Sequence, residues 1–240
     1  MPLQPGTRLG PYEIRSALEA PHGSDSYKAF DTRLNREVAI KVFPGRFSER
    51  FEREGKAVAS LHHPNICALH DIGHQDGVDF LVMEYLEGET LAQRLEKGAL
   101  DLGEALTMAI AIADALDKAH REGVIHRDLN PSKVMLTKNG AKLLHFGLAE
   151  PKLLPAAGPS EKVISLPGGA AGLPYTAPEQ LDGKDADARS DIFAFGTILY
   201  EMITGAKAFE GKSRAVVIAA IATADSDPLT KSQPNAPPAL

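Results

Sequence analysis

One stretch of the sequence restricts the fold of this chain more than any other. It runs from Val124 to Leu136, reads VIHRDLNPSKVML, and is followed by KLLHFG at 142–147. Apolar clusters at 124–125, 134–136 and 143–144 predict short buried strands beneath a polar loop. The loop places a histidine, an arginine and an aspartate side by side, so we expect the chemistry of the chain to centre on it.

The composition is that of an ordinary globular protein. The chain has 240 residues, 43% hydrophobic and 24% charged, which allows one or two modest domains. A net charge of −6 argues against a basic face that binds nucleic acid. The single cysteine, Cys67, cannot form an internal disulfide, which is consistent with a reducing, cytoplasmic location. No signal peptide or membrane segment is predicted, since the longest strongly apolar run, 215–222, is short.

The first half of the chain predicts several strands and one helix. Val38 to Phe43 is typical of a buried strand, because apolar residues flank its one charge. A helix is predicted over residues 48–61, where Phe51, Val58 and Leu61 recur at helical spacing. Other strands are predicted at 11–14, 26–30, 66–70 and 79–85.

The second half is predicted to be mostly helical. Asp101 is a good helix cap, and Gly123 ends the helix that follows it. The apolar face of that helix is predicted from Leu106, Ile110, Ala113 and Leu116. Further helices are predicted over residues 187–202 and 211–224.

Several short motifs follow one another along the chain. VAIK lies at 38–41, HRD at 126–128, FG at 146–147 and APE at 177–179, and the predicted helix carries Glu54. Each motif alone is weak, but the ordered set resembles the protein kinase family and looks closest to bacterial Ser/Thr protein kinases. In that family the loop reads H-R-D-x-K-x-x-x-N and the turn after it reads D-F-G.

The resemblance implies an α+β, two-lobed protein-kinase-like fold. Residues 1–86 would form a small N-lobe, an antiparallel sheet plus one helix, and residues 87–224 a larger helical C-lobe. Residues 225–240 would be a Pro-rich tail, and the C-lobe looks truncated because the family's final helices are absent. Glu179 of APE would then lack its usual arginine partner. Asp191 would anchor the backbone of the catalytic loop.

The resemblance also implies roles for individual residues. Asp128 stands at the position of the proton-accepting aspartate, and Lys41 and Glu54 stand at the positions of the strand lysine and its helix partner. Arg127 would be the partner of a phosphate on Ser160 or Ser165. The residues expected around ATP are Leu18, Ala39, Lys41, Met83, Glu84, Leu86, Met135 and Lys133, with the hinge contacts made by backbone atoms.

Three positions in the loop and turn depart from the family pattern. Asn130 replaces the lysine that contacts phosphate, while Lys133 and His145 replace the asparagine and aspartate that hold metal. No metal ligand is therefore expected at either position, and Mg²⁺ binding should be weak or absent. The loop over the phosphates is altered too, with Glu19, Pro21 and Ser24 at its glycine positions.

These departures favour a pseudokinase, a kinase-shaped module that binds protein partners without useful phosphoryl transfer. ATP remains a candidate ligand, with Lys41 and Lys133 flanking its phosphates in place of the metal. Two alternatives stay open. One is a weak Ser/Thr kinase that uses Lys41, Glu54 and Asp128, with metal entering through groups such as Glu150. The other is a docking domain that binds no nucleotide.

Overall fold

The computed structural model describes residues 3–18, 26–44, 49–146 and 169–223. Its N-terminal lobe contains a six-stranded antiparallel sheet with the strand order β1-β2-β3-β4-β6-β5. The strands are β1 (Arg8–Leu9), β2 (Tyr12–Ala17), β3 (Ser26–Asp31), β4 (Arg36–Pro44), β5 (Leu69–Gln75) and β6 (Val78–Glu84).

Side-chain alternation along β4 divides the N-terminal lobe into two cores. Val38 and Ile40 pack with Tyr27 of β3 in one core, and Phe43 joins a larger core on the other face. Helix α1 (Glu49–Ala59) covers that second face, and the ring of its Phe51 lies 5.8 Å from the ring of Phe43. The helix is shorter than the predicted 48–61.

The C-terminal lobe combines helices with a three-stranded sheet. The helices are α2 (Leu91–Leu95), α3 (Leu102–Arg121), α4 (Gly169–Gly172), α5 (Pro178–Leu181), α6 (Ala188–Thr204) and α7 (Arg214–Thr223). The strands are β7 (Glu89–Thr90), β8 (Val134–Thr137) and β9 (Gly140–Leu143). The predicted two-lobed fold is confirmed over these residues.

Two predicted strands differ from the structure. Residues 124–125 form no strand, because the N–H of Val124 bonds to the carbonyl of Ala119 as the chain leaves α3. The strand predicted at 66–70 begins only at Leu69. Ile66 instead pairs with Leu143 in an isolated bridge, and this pairing ties the linker before β5 to the C-terminal lobe.

Helix α3 buries a face that matches the predicted one only at Leu116 and in part at Leu106. Asp101 caps it as expected, since its side chain accepts a hydrogen bond from the N–H of Glu104. The predicted Ile110, however, is 71% exposed. The buried face consists of Ala105, Ala109, Ile112, Ala115, Leu116 and Ala119. Alanines make up most of this face, so a prediction from the large apolar residues located it only in part.

Helix α6 is the central helix of the C-terminal lobe. Asp187 caps its start by accepting from the N–H of Arg189, and Gly205 ends it with φ of 72°. Its Ala194, Ile198 and Met202 belong to the large core that also contains the buried face of α3.

We predict that Ile198→Ala lowers the free energy of unfolding by about 2–5 kcal/mol, because Ile198 is fully buried and its loss leaves a cavity. The matched control is Ile192→Ala on the same helix, where the side chain is 58% exposed. The control should change the free energy by less than about 0.5 kcal/mol. Urea denaturation followed by circular dichroism measures both, and equal effects would contradict the assigned core.

Candidate active site

A single buried carboxylate holds the catalytic loop in place. Asp191 of α6 accepts hydrogen bonds from the backbone N–H groups of His126, at 2.8 Å, and Arg127, at 2.9 Å. The same carboxylate lies 2.8 Å from Nε2 of His120 at the end of α3. Arg127 has φ of 68°, a conformation that few non-glycine residues adopt, and the carbonyl of Arg127 accepts from Gln180. The predicted anchoring role of Asp191 is confirmed.

His126 ties this loop to the residues before Gly147. Its Nε2 lies 2.9 Å from the carbonyl oxygen of Leu144, and its ring centroid lies 4.8 Å from that of Phe146. Burial lowers the pKa of His126, so the ring is neutral and Nε2 donates. Phe146 is fully buried, and the turn that carries His145 is thereby fixed.

Asn130 turns inward onto Asp128. Its Nδ2 donates to the backbone carbonyl of Asp128 at 3.0 Å and to the Asp128 carboxylate at 3.2 Å. Its Oδ1 accepts from the N–H and the hydroxyl of Ser132, which caps the 3-10 turn at Pro131–Lys133. Burial raises the pKa of the Asp128 carboxyl. The residue that replaces the family's phosphate-contacting lysine is therefore a structural cap.

His145 occupies the position at which the family carries a metal-holding aspartate. Its φ is 61°, and its Nδ1 is buried without a hydrogen-bond partner among the described residues. Burial, followed by the positive charges of Lys133 and Lys41, lowers the pKa of His145 well below its usual range. The imidazole is therefore neutral at physiological pH.

The side chains at the family's two ligand positions do not fit Mg²⁺. This ion takes oxygen ligands, whereas Lys133 offers an ammonium group and His145 an imidazole. Within residues 3–18, 26–44, 49–146 and 169–223, no group of three or more His, Cys, Asp or Glu side chains could hold a metal ion.

An ion pair joins the catalytic loop to the N-terminal lobe. Nη1 of Arg127 donates to Oε1 of Glu54 in α1 at 2.8 Å, and both side chains are about three-quarters buried. From the sequence, Arg127 was expected to contact a phosphate on the segment after Gly147, and Glu54 was expected to pair with Lys41. Lys41 is buried on β4, and Lys41 and Glu54 each make further interactions. Their expected pairing stays a prediction.

The predicted hinge residues lie at the end of β6 and directly after it. Ala39 of β4 lies directly opposite Met83 of β6, and the carboxylate of Glu84 is bound by Nζ of Lys142 at 2.7 and 2.9 Å. Lys142 thus holds the Glu84 side chain, and the contacts of the hinge with a ligand stay a prediction. The other predicted pocket residues, Leu18, Leu86 and Met135, are all half-buried.

Sequence reasoning missed several contacts that shape the site. Lys142, Gln180 and the cation–π contact between Lys28 and Tyr85, at 4.4 Å, carry no motif that would identify them. Glu179 accepts a hydrogen bond from the hydroxyl of Ser190, so it has a partner other than the expected arginine. The residues named at 19, 21, 24, 150, 160 and 165 lie outside the described ranges.

A sheet lobe, a hinge, a helical lobe and an Asp-anchored HRD loop together define a protein kinase fold. The family model for the protein kinase domain matches residues 20–237, and the chain belongs to this family. It is similar to a probable serine/threonine-protein kinase of Streptomyces coelicolor, with 39% identity over 87% of this chain and 32% of the relative. It is also similar to the serine/threonine-protein kinase PrkC of Bacillus subtilis, with 32% identity over 97% of this chain and 36% of the relative.

Among solved structures, the kinase domain of Mycobacterium tuberculosis PknI matches with a TM-score of 0.74 and 28% identity. The match covers 98% of this chain and 86% of that domain. The chain spans about a third of the length of its curated relatives. None of the described helices has the length and apolar character that crossing a bilayer requires.

We predict that Glu54 and Arg127 stabilise the fold jointly. A double-mutant cycle with Glu54→Gln and Arg127→Gln should give a coupling free energy of about 1 kcal/mol, because the pair is partly shielded from water. Raising the salt concentration should reduce it. The control cycle is the more exposed pair Lys118 and Glu122, joined at 2.8 Å, with an expected coupling of about 0.3–0.5 kcal/mol. Zero coupling for Glu54 and Arg127 would contradict the contact.

The buried histidines predict a loss of stability in mild acid. Since His126 and His145 have lowered pKa values when folded, the unfolded chain binds more protons below the ordinary histidine pKa of 6.5. The free energy of unfolding should therefore fall as the pH drops below 6.5, and His145→Asn should flatten this dependence. Urea titrations from pH 7.5 to 5.5 test it, with His62→Asn, at an exposed site, as control. If the free energy of unfolding of His145→Asn depended on pH as steeply as that of the wild type, the His145 imidazole would not be buried in its neutral form.

Proposed function

We propose that this kinase domain is a pseudokinase that acts as a protein-binding or regulatory module, with impaired Mg²⁺-dependent phosphoryl transfer. The observation that carries the proposal is the replacement of both metal-holding side chains by Lys133 and His145, beside an inward-turned Asn130. Phosphoryl transfer depends mainly on positioning and on neutralisation of charge by the metal. Positioning and charge neutralisation are both weakened when the side chains that hold the metal are replaced.

The charge on Lys133 acts against metal binding. A single positive charge about 4 Å from a divalent ion is repelled by roughly 8 kcal/mol at an effective dielectric constant near 20, which is an upper estimate. Even about a quarter of that energy corresponds to more than a tenfold loss in occupancy or rate. The lysine is therefore worse for magnesium than a missing ligand.

ATP binding that requires no metal ion also belongs to the proposal. The backbone of Glu84 and Leu86 would contact adenine, and Met83 would limit the depth of the pocket. Lys41 and Lys133 would supply positive charge to the phosphates, so ATP would raise the melting temperature in EDTA. We also propose a protein partner, no nucleic-acid ligand and a cytoplasmic location.

The second candidate is a weakly active Ser/Thr protein kinase. It is supported by the retained Lys41, Glu54 and Asp128 and by the relatives named as probable serine/threonine-protein kinases. A third candidate, a docking domain without nucleotide, predicts no change in melting temperature with ATP.

Turnover of radiolabelled ATP distinguishes these functions. We expect the wild-type protein, with Mg²⁺ or Mn²⁺ and a general protein substrate, to be no faster than Asp128→Asn. The double variant Lys133→Asn/His145→Asp restores both family ligands and should gain turnover that Asp128→Asn removes. Wild-type turnover that depends on Asp128 would refute the pseudokinase and favour the weak kinase.

A further inference from the structure

His145 carries a polar atom whose partner is missing from the described structure. Its Nδ1 is covered, yet it forms no hydrogen bond among the described residues. A buried polar group without a partner is unfavourable by about 1–3 kcal/mol and needs an explanation, such as a ligand. The residue as a whole is half-buried. Rotation about χ2, which is a soft torsion, can turn the nitrogen toward a bound molecule.

The cations around this imidazole identify the chemical class of that molecule. Lys133 is half-buried and forms no ion pair within the described parts of the chain. Its backbone carbonyl accepts a hydrogen bond from the N–H of Leu144 at 2.8 Å, which places Lys133 beside the turn that carries His145. The ammonium group only donates hydrogen bonds, and a neutral imidazole donates from whichever nitrogen carries its proton. A phosphate oxygen accepts from both, whereas a magnesium ion can accept from neither.

We infer that the cleft selects the metal-free form of a nucleoside polyphosphate, with His145 and Lys133 in direct contact with phosphate oxygens. The inference rests on the proposed nucleotide binding and goes beyond it. Mg²⁺ covers the oxygens that these donors would reach and brings positive charge toward Lys133. Mg²⁺ is therefore expected to weaken the binding of the nucleotide.

Isothermal titration with ATP tests the inference in EDTA and in excess Mg²⁺, at matched ionic strength. We expect binding at least tenfold weaker with Mg²⁺. In Lys133→Asn/His145→Asp, affinity in EDTA should fall at least tenfold, and Mg²⁺ should then strengthen binding. His62→Asn serves as control and should behave as wild type. Melting curves without ligand verify that each variant is folded.

Histidine ring NMR gives a second readout, because ATP in EDTA should shift the ¹⁵N resonance of His145 Nδ1. Equal or tighter binding with Mg²⁺, or an unshifted Nδ1 at saturation, would overturn the inference and leave nucleotide binding intact. If ATP binds in neither condition, the inference falls together with the nucleotide part of the proposed function. A titration with adenosine, which has no phosphates, would then show whether the hinge still binds adenine.

Discussion

The carboxylate of Asp191 is the interaction on which the arrangement of the site depends. It accepts two backbone N–H groups of the HRD loop and contacts His120, so one side chain joins α6, α3 and the loop. Such a buried charge is tolerable only because polar donors surround it. Through the positions that it fixes, His126 contacts Phe146 and Arg127 reaches Glu54 in the other lobe.

This framework is built largely from backbone groups, and it therefore places few demands on the side chains that do chemistry. The N–H groups held by Asp191 would be present with any residue, and Leu144 contributes only its carbonyl to the contact with His126. The loop thus keeps its shape while Asn130, Lys133 and His145 replace the family's functional residues. The shape of the loop and the identity of its functional side chains are therefore separable for a physical reason.

The sequence was informative where order and spacing carry the signal. Most of the strands, the cap at Asp101 and the role of Asp191 followed from short patterns or from the family resemblance. The buried face of α3 was predicted only in part, because four of its six residues are small alanines. The pairs Glu54–Arg127 and Glu84–Lys142 join residues far apart in the chain, so no local pattern indicates them.

The persistence of Asp128 is weak support for catalysis, because its oxygens have a structural use. One carboxylate oxygen accepts a hydrogen bond from the Asn130 amide, which also donates to the backbone carbonyl of Asp128. Asn130 in turn caps the 131–133 turn that carries Lys133. In a magnesium-dependent site, negatively charged protein carboxylates bind the positive ion, and the ion in turn binds the negatively charged phosphates. In the proposed function, lysine and a neutral imidazole would face the phosphates directly, and that ion would not be needed. Asp128 would then support a donor site instead of acting as a base.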